Sequence, residues 1–167
     1  MSVMFIHGYQ SSNKTNKFTV INEEKVCETV DYDELTFAEV EEFYLNMIQE
    51  HQPDILVGHS LGGFWCLHLS KYTGLPCIII NPQLNVSRFA ELDYPVYENW
   101  NEYFDGDSWV YSYIETGDEI LDVPRTIKTL KANSECTVFE GGHHRVENIN
   151  YINTMIETFK LDKWHHV

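Results

Sequence analysis

Residues 54–63 read DILVGHSLGG, an apolar run that leads into a G-x-S-x-G motif and a further glycine. In such a turn between a strand and a helix the central serine adopts a strained backbone conformation, and the flanking glycines let strand and helix approach each other closely. The apolar run predicts a buried strand, and residues 63–67 predict the start of a helix. This pattern indicates a nucleophile elbow with Ser60 as the candidate nucleophile. The alternative is a tight turn that holds a serine by coincidence.

Strand-like and helix-like segments alternate on either side of this motif. Several of the predicted strands are continuous apolar runs, which are typical of parallel strands covered on both faces. Six strands are predicted, over residues 3–7, 25–30, 54–57, 77–80, 110–115 and 136–139, and helices over residues 37–51, 61–71, 124–131 and 149–159. Thr36 and Glu39 predict a capping box at the start of the first helix. The alternation indicates an α/β fold with right-handed crossovers.

Length and charge limit the classes of protein to consider. The chain has 167 residues, 43% of them hydrophobic, and no repeat or flexible linker, so residues 1–167 are predicted to form a single domain. The 26 acidic and 11 basic residues give a net charge of −15, which repels nucleic acid and anionic membrane surfaces. We interpret most of this charge as a solvated acidic surface. A preference for cationic or neutral substrates is the other interpretation.

The N-terminal residues and the cysteines predict a cytoplasmic protein. The apolar run within residues 1–6 has no basic segment before it and is too short for a signal peptide or a membrane span. Cys27, Cys66, Cys77 and Cys136 stand far apart in the sequence. Their spacing predicts buried thiols rather than a disulfide framework or a metal motif.

One segment departs from the alternation of strands and helices. Residues 83–109 carry many aromatic side chains, among them Tyr94, Trp100 and Trp109, without a period of 2 or 3.6. Loops at the carboxyl ends of parallel strands line the ligand crevice, so this segment could form a lid or an acyl pocket. A short packed helix and loop that completes the core is the equal alternative.

A serine nucleophile needs a base, an acid that orients the base, and hydrogen-bond donors for the oxyanion. Two loops that follow predicted strands supply the first two, TGDEILD at residues 116–122 and EGGHHR at residues 140–145. The resulting order of serine, aspartate and histidine is that of α/β-hydrolases and differs from the order in the two large serine protease folds. We therefore predict an α/β-hydrolase-type three-layer sandwich around a mostly parallel sheet of about six strands, with a minimal cap or none.

Several residues compete for the roles of acid and base. Asp118, Glu119 and Asp122 are the candidate acids. Asp118 lies closest to the strand end and is preferred, whereas Asp122 precedes a Val-Pro pair and suits the N-cap of the next helix. The base is His143 or His144, and the residues alone leave that choice open. Two surface-loop histidines without catalytic function are the alternative.

Backbone groups are the expected oxyanion donors. The first is the N–H of Leu61, directly after the nucleophile. The second is the N–H of Tyr9, which follows a glycine at the end of the first strand, with Gln10 as the reserve candidate. His7 is predicted to have a structural role, because one base suffices.

Neither a metal nor a cofactor is predicted. The histidine pairs at 143–144 and 165–166 lack the i, i+4 spacing of a helical zinc motif, and the sequence DGD at residues 105–107 lacks the remaining ligands of an EF-hand. The glycines at residues 141–142 precede histidines and do not form a phosphate-binding loop.

Together these motifs resemble the YqiA/YcfP-like group of small bacterial esterases within the α/β-hydrolase superfamily. The resemblance covers most of the chain and rests on HGY at 7–9, SLGGF at 60–64, INP at 80–82, TGDEILD at 116–122 and EGG at 140–142. The E-G-G-N/D-H pattern of that family implies that His144 is the base, and the resemblance favours Asp118 as the acid. It also implies a cofactor-free hydrolase of small esters. This chain departs from the family in having His59 where serine is common, and in a shorter segment after the Asn-Pro motif.

The sequence thus predicts a serine hydrolase that acts on small carboxylic esters or thioesters. In this hypothesis Ser60 attacks the carbonyl, His144 transfers the proton, Asp118 orients the imidazole, and the N–H groups of Tyr9 and Leu61 bind the oxyanion. A thioesterase or acyltransferase with the same triad is one alternative. A non-catalytic domain of the same fold that binds a small ligand or a protein is another. The predicted partner is a small ester, with neither nucleic acid nor a membrane.

Overall fold

The computed structural model describes residues 1–104, 106 and 109–165. Asp105, Asp107 and His166, which belong to motifs considered above, lie outside the described residues. The strands are β1 Ser2–Ile6, β2 Glu24–Val26, β3 Ile55–His59, β4 Cys77–Ile80, β5 Val110–Glu115 and β6 Glu135–Phe139, and the α-helices are α1 Asn16–Thr19, α2 Phe37–His51, α3 Leu61–Thr73, α4 Val123–Asn133 and α5 Tyr151–His165. Two 3₁₀ segments, Ser87–Leu92 and Trp100–Tyr103, lie between β4 and β5.

The six strands form one sheet in the order β2-β1-β3-β4-β5-β6. All five neighbouring pairs run parallel, so the sheet is wholly parallel. The carboxyl ends of all strands therefore meet at one edge, where ligand crevices of such sheets lie. This architecture confirms the predicted α/β fold.

Each face of the sheet packs against its own layer of helices. Alternate residues of a strand point to opposite faces, and β1 shows this clearly. Met4 and Ile6 belong to the core formed with α2, α3 and α4, whereas Val3 and Phe5 belong to the core formed with α1 and α5. The result is a three-layer sandwich with β3 near its centre.

The predicted elements are all present, with shifted ends. The capping box of α2 is formed, because the Thr36 side chain accepts from the Glu39 N–H and the Glu39 carboxylate accepts from the Thr36 N–H. The edge strand β2 is shorter than predicted, and the short helix α1 was not predicted. Within the described residues, no helix is both long and apolar enough to cross a bilayer.

The described residues of the aromatic segment pack against α3. Tyr94, Trp100 and Tyr103 are buried, and the Trp65 indole N–H of α3 donates to the Tyr94 hydroxyl at 3.2 Å. Phe89 lies against Tyr94 with a distance of 5.0 Å between ring centroids. These contacts favour the interpretation of this segment as part of the core.

Candidate active site

Ser60 occupies the turn between β3 and α3 with φ 57° and ψ −120°. This left-handed backbone conformation is strained for a residue with a side chain, and the surrounding packing must hold it. A Cβ on Gly58 would lie 2.2 Å from the Gly62 carbonyl oxygen, and one on Gly62 would lie 1.9 Å from the Ile6 carbonyl oxygen. Only glycine fits at either position, so the turn has the geometry predicted for a nucleophile elbow.

The three residues predicted as a triad lie in one chain of hydrogen bonds. The Ser60 Oγ lies 2.9 Å from His144 Nε2, and His144 Nδ1 lies 2.7 Å from Asp118 Oδ2. Ser60 and Asp118 are buried, and His144 is partly buried. The tertiary structure thus brings together side chains that are separated by 58 and 26 positions in the sequence.

The Asp118 carboxylate has a full set of partners. Its Oδ1 atom accepts from the N–H groups of Ile120 at 2.8 Å and Leu121 at 3.0 Å, which leaves Oδ2 for His144. These bonds fix the carboxylate in the orientation that presents one oxygen to the imidazole.

The residues that competed with Asp118 and His144 have other contacts. Glu119 Oε2 accepts from the backbone N–H of His144 at 3.0 Å, and this bond lowers the pKa of Glu119. Asp122 caps α4 by accepting from the Arg125 N–H. The neighbouring His143 is exposed. Only His144 of the two adjacent histidines contacts Ser60.

The predicted oxyanion donors border the same site. Leu61 is the first residue of α3, so its N–H belongs to the first turn, which has no acceptor inside the helix. Gly8 lies against the elbow, since a Cβ there would come within 3.2 Å of Ser60 Cβ. Tyr9 and Gln10 follow it and line the cavity next to Ser60. The assignment of Leu61 and Tyr9 to an oxyanion hole stays a prediction.

A buried carboxylate that the sequence analysis did not single out holds the loop of His144. Glu115, the last residue of β5, is fully buried. Its oxygens accept from the N–H groups of His143 at 3.0 Å, Glu147 at 2.7 Å and Asn148 at 3.0 Å, and from the Tyr113 hydroxyl at 2.8 Å. Burial raises the pKa of Glu115, but these four hydrogen bonds outweigh it and lower the pKa below its usual value. The one feature of the sequence that could have indicated this role is a charged residue at the end of an apolar strand.

Two further side chains bind the backbone of the His144 loop. The Asn81 side-chain amide donates to the carbonyls of His143 at 3.2 Å and His144 at 3.1 Å. The His59 Nε2 atom lies 2.7 Å from the same His144 carbonyl, so it carries the proton. Burial lowers the pKa of His59 well below its usual value, and the nearby Lys17 and His144 lower it further. His59 is therefore a neutral donor to the backbone of the candidate base.

We expect the His59→Ser variant to lower kcat by about fivefold with a smaller effect on KM. Serine is too short to reach the His144 carbonyl, and losing one buried hydrogen bond costs about 1 kcal/mol. Steady-state kinetics with 4-nitrophenyl acetate measure the change. The exposed His51→Ser variant on α2 is the matched control. Unchanged kcat in a folded His59→Ser protein would contradict a positioning role for His59.

His7 has a structural role in the structure, as predicted. Its Nδ1 donates to the Gly8 carbonyl at 2.7 Å, and its Nε2 accepts from the Val30 N–H at 2.8 Å. Burial lowers the pKa of His7, which favours this neutral form. The side chain thus joins the loop after β1 to the chain after β2.

Ser60 and His144 border a cavity of about 600 Å³. Ser60, His59 and His144 form one wall, and residues 8–12 and 14–17 with Arg145 form the rest. Most of the residues that line it have polar side chains. In the part of the chain that the structure describes, no group of three or more histidine, cysteine or acidic side chains is arranged to hold a metal ion.

The model of a known protein family matches most of this chain. Residues 2–115 match the model of the uncharacterised protein family UPF0227. The matched range contains Ser60 and Glu115 and ends before Asp118 and His144.

Solved structures with the same fold include known hydrolases. Est1E from Butyrivibrio proteoclasticus superposes with a TM-score of 0.77 at 12% identity, covering 98% of this chain and 88% of that one. A second Est1E structure, with ferulic acid bound, gives a TM-score of 0.76 at 11% identity and covers 96% and 88%. Mouse alpha/beta hydrolase domain-containing protein 10 gives 0.70 at 18% identity and covers 98% and 90%. At these identities the likeness shows an α/β-hydrolase fold.

Proposed function

This chain belongs to the uncharacterised protein family UPF0227, and from that membership and its hydrolase fold we propose that it is a serine esterase for small carboxylic esters. The observation that carries the proposal is the hydrogen-bonded chain from Asp118 through His144 to Ser60 at the mouth of a cavity. Fold alone does not establish activity. In this chain a carboxylate orients an imidazole, and the imidazole is hydrogen-bonded to a serine in a strained turn. This arrangement activates a hydroxyl nucleophile.

The mechanism follows from the protonation states that the hydrogen bonds favour. Asp118 accepts a hydrogen bond from the protonated Nδ1 of His144, which leaves Nε2 free to take the proton of the Ser60 hydroxyl. The serine oxygen attacks the ester carbonyl, and the N–H groups of Leu61 and Tyr9 stabilise the oxyanion. His144 returns the proton to the leaving alcohol as the acyl-enzyme forms. Water, activated by the same imidazole, then releases the acid and restores Ser60.

The cavity supports small, polar substrates. Its lining near Ser60 is formed by serines, threonine, asparagine and charged side chains, with Tyr9 as the aromatic residue. Est1E holds ferulic acid, a carboxylic acid, which accords with an ester as the substrate class.

Labelling with a fluorophosphonate tests the proposal. We expect intact mass spectrometry to show one adduct on the wild type and none on the Ser60→Ala variant, because only an activated serine reacts. Ser11→Ala is the matched control, since Ser11 lines the same cavity and should leave the adduct in place.

Labelling and turnover together separate the candidate functions. No adduct on a well-folded wild type would reject the serine esterase and favour a non-catalytic binding domain. An adduct together with faster turnover of a thioester than of the matching oxygen ester would identify a thioesterase instead. Transfer of the acyl group to an added alcohol in place of water would identify an acyltransferase.

A further inference from the structure

The cavity beside Ser60 has a local charge opposite to that of the whole protein. The chain carries 26 acidic and 11 basic residues. Three of the basic residues, Lys14, Lys17 and Arg145, line this cavity, and none of the described acidic residues does. In a chain with a net charge of −15, a wall with only cationic charge forms a local attraction for anions.

Lys17 is the informative member of this group. Its side chain is buried, with the residue only 6% exposed. The ammonium group donates to the Arg145 carbonyl at 2.9 Å and lies 3.4 Å from the Asn16 side-chain oxygen. It forms no salt bridge within the described part of the chain. A buried ammonium without a direct ion pair to a carboxylate is costly. Burial lowers the pKa of Lys17, Arg145 lowers it further, and the charge of Glu115 acts in the opposite direction.

Two carboxylates that contact the His144 loop already have partners. Glu115 binds backbone N–H groups, and Asp118 binds His144. At Tyr9, Asp33 accepts from the hydroxyl, and the Arg88 guanidinium lies 4.3 Å from the centre of the ring. None of these groups neutralises the ammonium group of Lys17 by a direct ion pair. An anionic ligand in the cavity would supply that charge.

We propose that the substrate is an ester that carries an anionic group, a carboxylate or a phosphate, which binds Lys17, Lys14 and Arg145 while the carbonyl lies at Ser60. This inference rests on the proposed esterase function and narrows it to one substrate class. Lys17 is the buried contact next to the loop of His144. Lys14 and Arg145 are exposed and form the rim that the anion meets first. The earlier interpretation of the acidic composition, a preference for cationic or neutral substrates, is opposite to this proposal.

The test compares anionic esters with neutral esters of the same shape. On the acyl side, mono-4-nitrophenyl adipate is paired with 4-nitrophenyl 6-methylheptanoate. On the alcohol side, 4-acetoxyphenylacetate is paired with 4-acetoxyphenylacetamide. We expect kcat/KM for the anionic member to exceed that for the neutral member by about tenfold in at least one pair, since a hydrogen bond to a charged group is worth that much or more. Added salt should lower this ratio.

Three variants locate the effect. We expect the ratio of anionic to neutral kcat/KM to fall toward one in Lys17→Met and in the double variant Lys14→Met/Arg145→Met. Lys14 and Arg145 are exposed, so replacing their side chains should not disturb the fold. The control is Lys128→Met on α4, which is also exposed and removes one positive charge outside the cavity. The control should keep the wild-type ratio. The ratio itself corrects for any general loss of activity.

A binding experiment measures the preference for an anionic ligand without turnover. We expect NMR titration of the Ser60→Ala variant to show binding of monomethyl adipate that weakens in the presence of the Lys17→Met substitution. If kcat/KM for the neutral ester equals or exceeds that for the anionic ester in both pairs, the proposed substrate class is overturned. The esterase function would still stand. If no ester is hydrolysed and Ser60 forms no fluorophosphonate adduct, the esterase function is overturned. The anion site would then be supported only by the binding of monomethyl adipate.

Discussion

We expect Ser60→Ala and His144→Ala each to lower kcat/KM for 4-nitrophenyl acetate by about 10⁴-fold or more, and the double variant to lose no more than either single one. The reason is that the hydroxyl and the imidazole act as one unit, linked at 2.9 Å. Without the base the serine is a weak nucleophile, and without the serine the base has no proton to take. Steady-state kinetics of the three purified variants measure the effect.

His143→Ala is the matched control for the base. His143 precedes His144 in the same loop, but its side chain is exposed while its backbone N–H binds Glu115. We expect this variant to keep its activity within about threefold of the wild type, because the alanine retains the backbone contacts. The reverse ranking of the two histidine variants would move the base to His143. Equal, additive losses at Ser60 and His144 would contradict a shared proton transfer.

Glu115→Gln is expected to lower both stability and activity. The carboxylate accepts four hydrogen bonds, three of them from backbone N–H groups, so an amide in its place presents its NH₂ group to at least one backbone N–H in either orientation. Donors that face donors in a buried site leave groups unsatisfied, at a cost of about 3 kcal/mol. Because this carboxylate also binds the His143 N–H, the loop that carries His144 loosens, and we expect kcat to fall by about tenfold or more. Urea unfolding and steady-state kinetics at pH 7 measure the two effects.

Glu147→Gln is the control for this prediction. It removes the same charge from the same loop, and its side chain is exposed, so stability should change by less than about 0.5 kcal/mol. If the two variants unfold at the same urea concentration as the wild type, the buried carboxylate does not hold the loop.

The pKa of Glu115 also predicts how stability depends on pH. Folding lowers the pKa of this carboxyl below its usual value, so the folded state binds a proton less readily than the unfolded state. The contribution of Glu115 to the free energy of unfolding is therefore fully present above the unfolded pKa of about 4.3 and is lost as the pH falls through the lower folded pKa. We expect the stability difference between the wild type and Glu115→Gln to be constant near neutral pH and to shrink below about pH 4. A difference that grows as the pH falls would contradict this linkage.

The sequence predicted the order of strands and helices because those signals are local. Apolar runs, the capping box of Thr36 and Glu39 and the glycines around Ser60 each act over a few residues. The ends of elements were less well predicted, as β2 and α5 show, since packing against neighbours decides where a strand or helix ends. The elbow was also predictable, because its glycines form a short motif, although the tertiary structure supplies the Ile6 backbone against which Gly62 packs.

The sequence by itself predicts the fold class, which is confirmed, and three residues as candidate nucleophile, acid and base, with the choice of His144 over His143 depending on a family resemblance. Only the tertiary structure decided how the His144 loop is held and what charge the cavity has. Glu115, His59 and Lys17 act on residues 28 to 128 positions away in the chain. Contacts over such separations leave no periodic pattern and no short motif. They form because parallel strands bring their carboxyl ends to one edge of the sheet, where residues distant in sequence become neighbours.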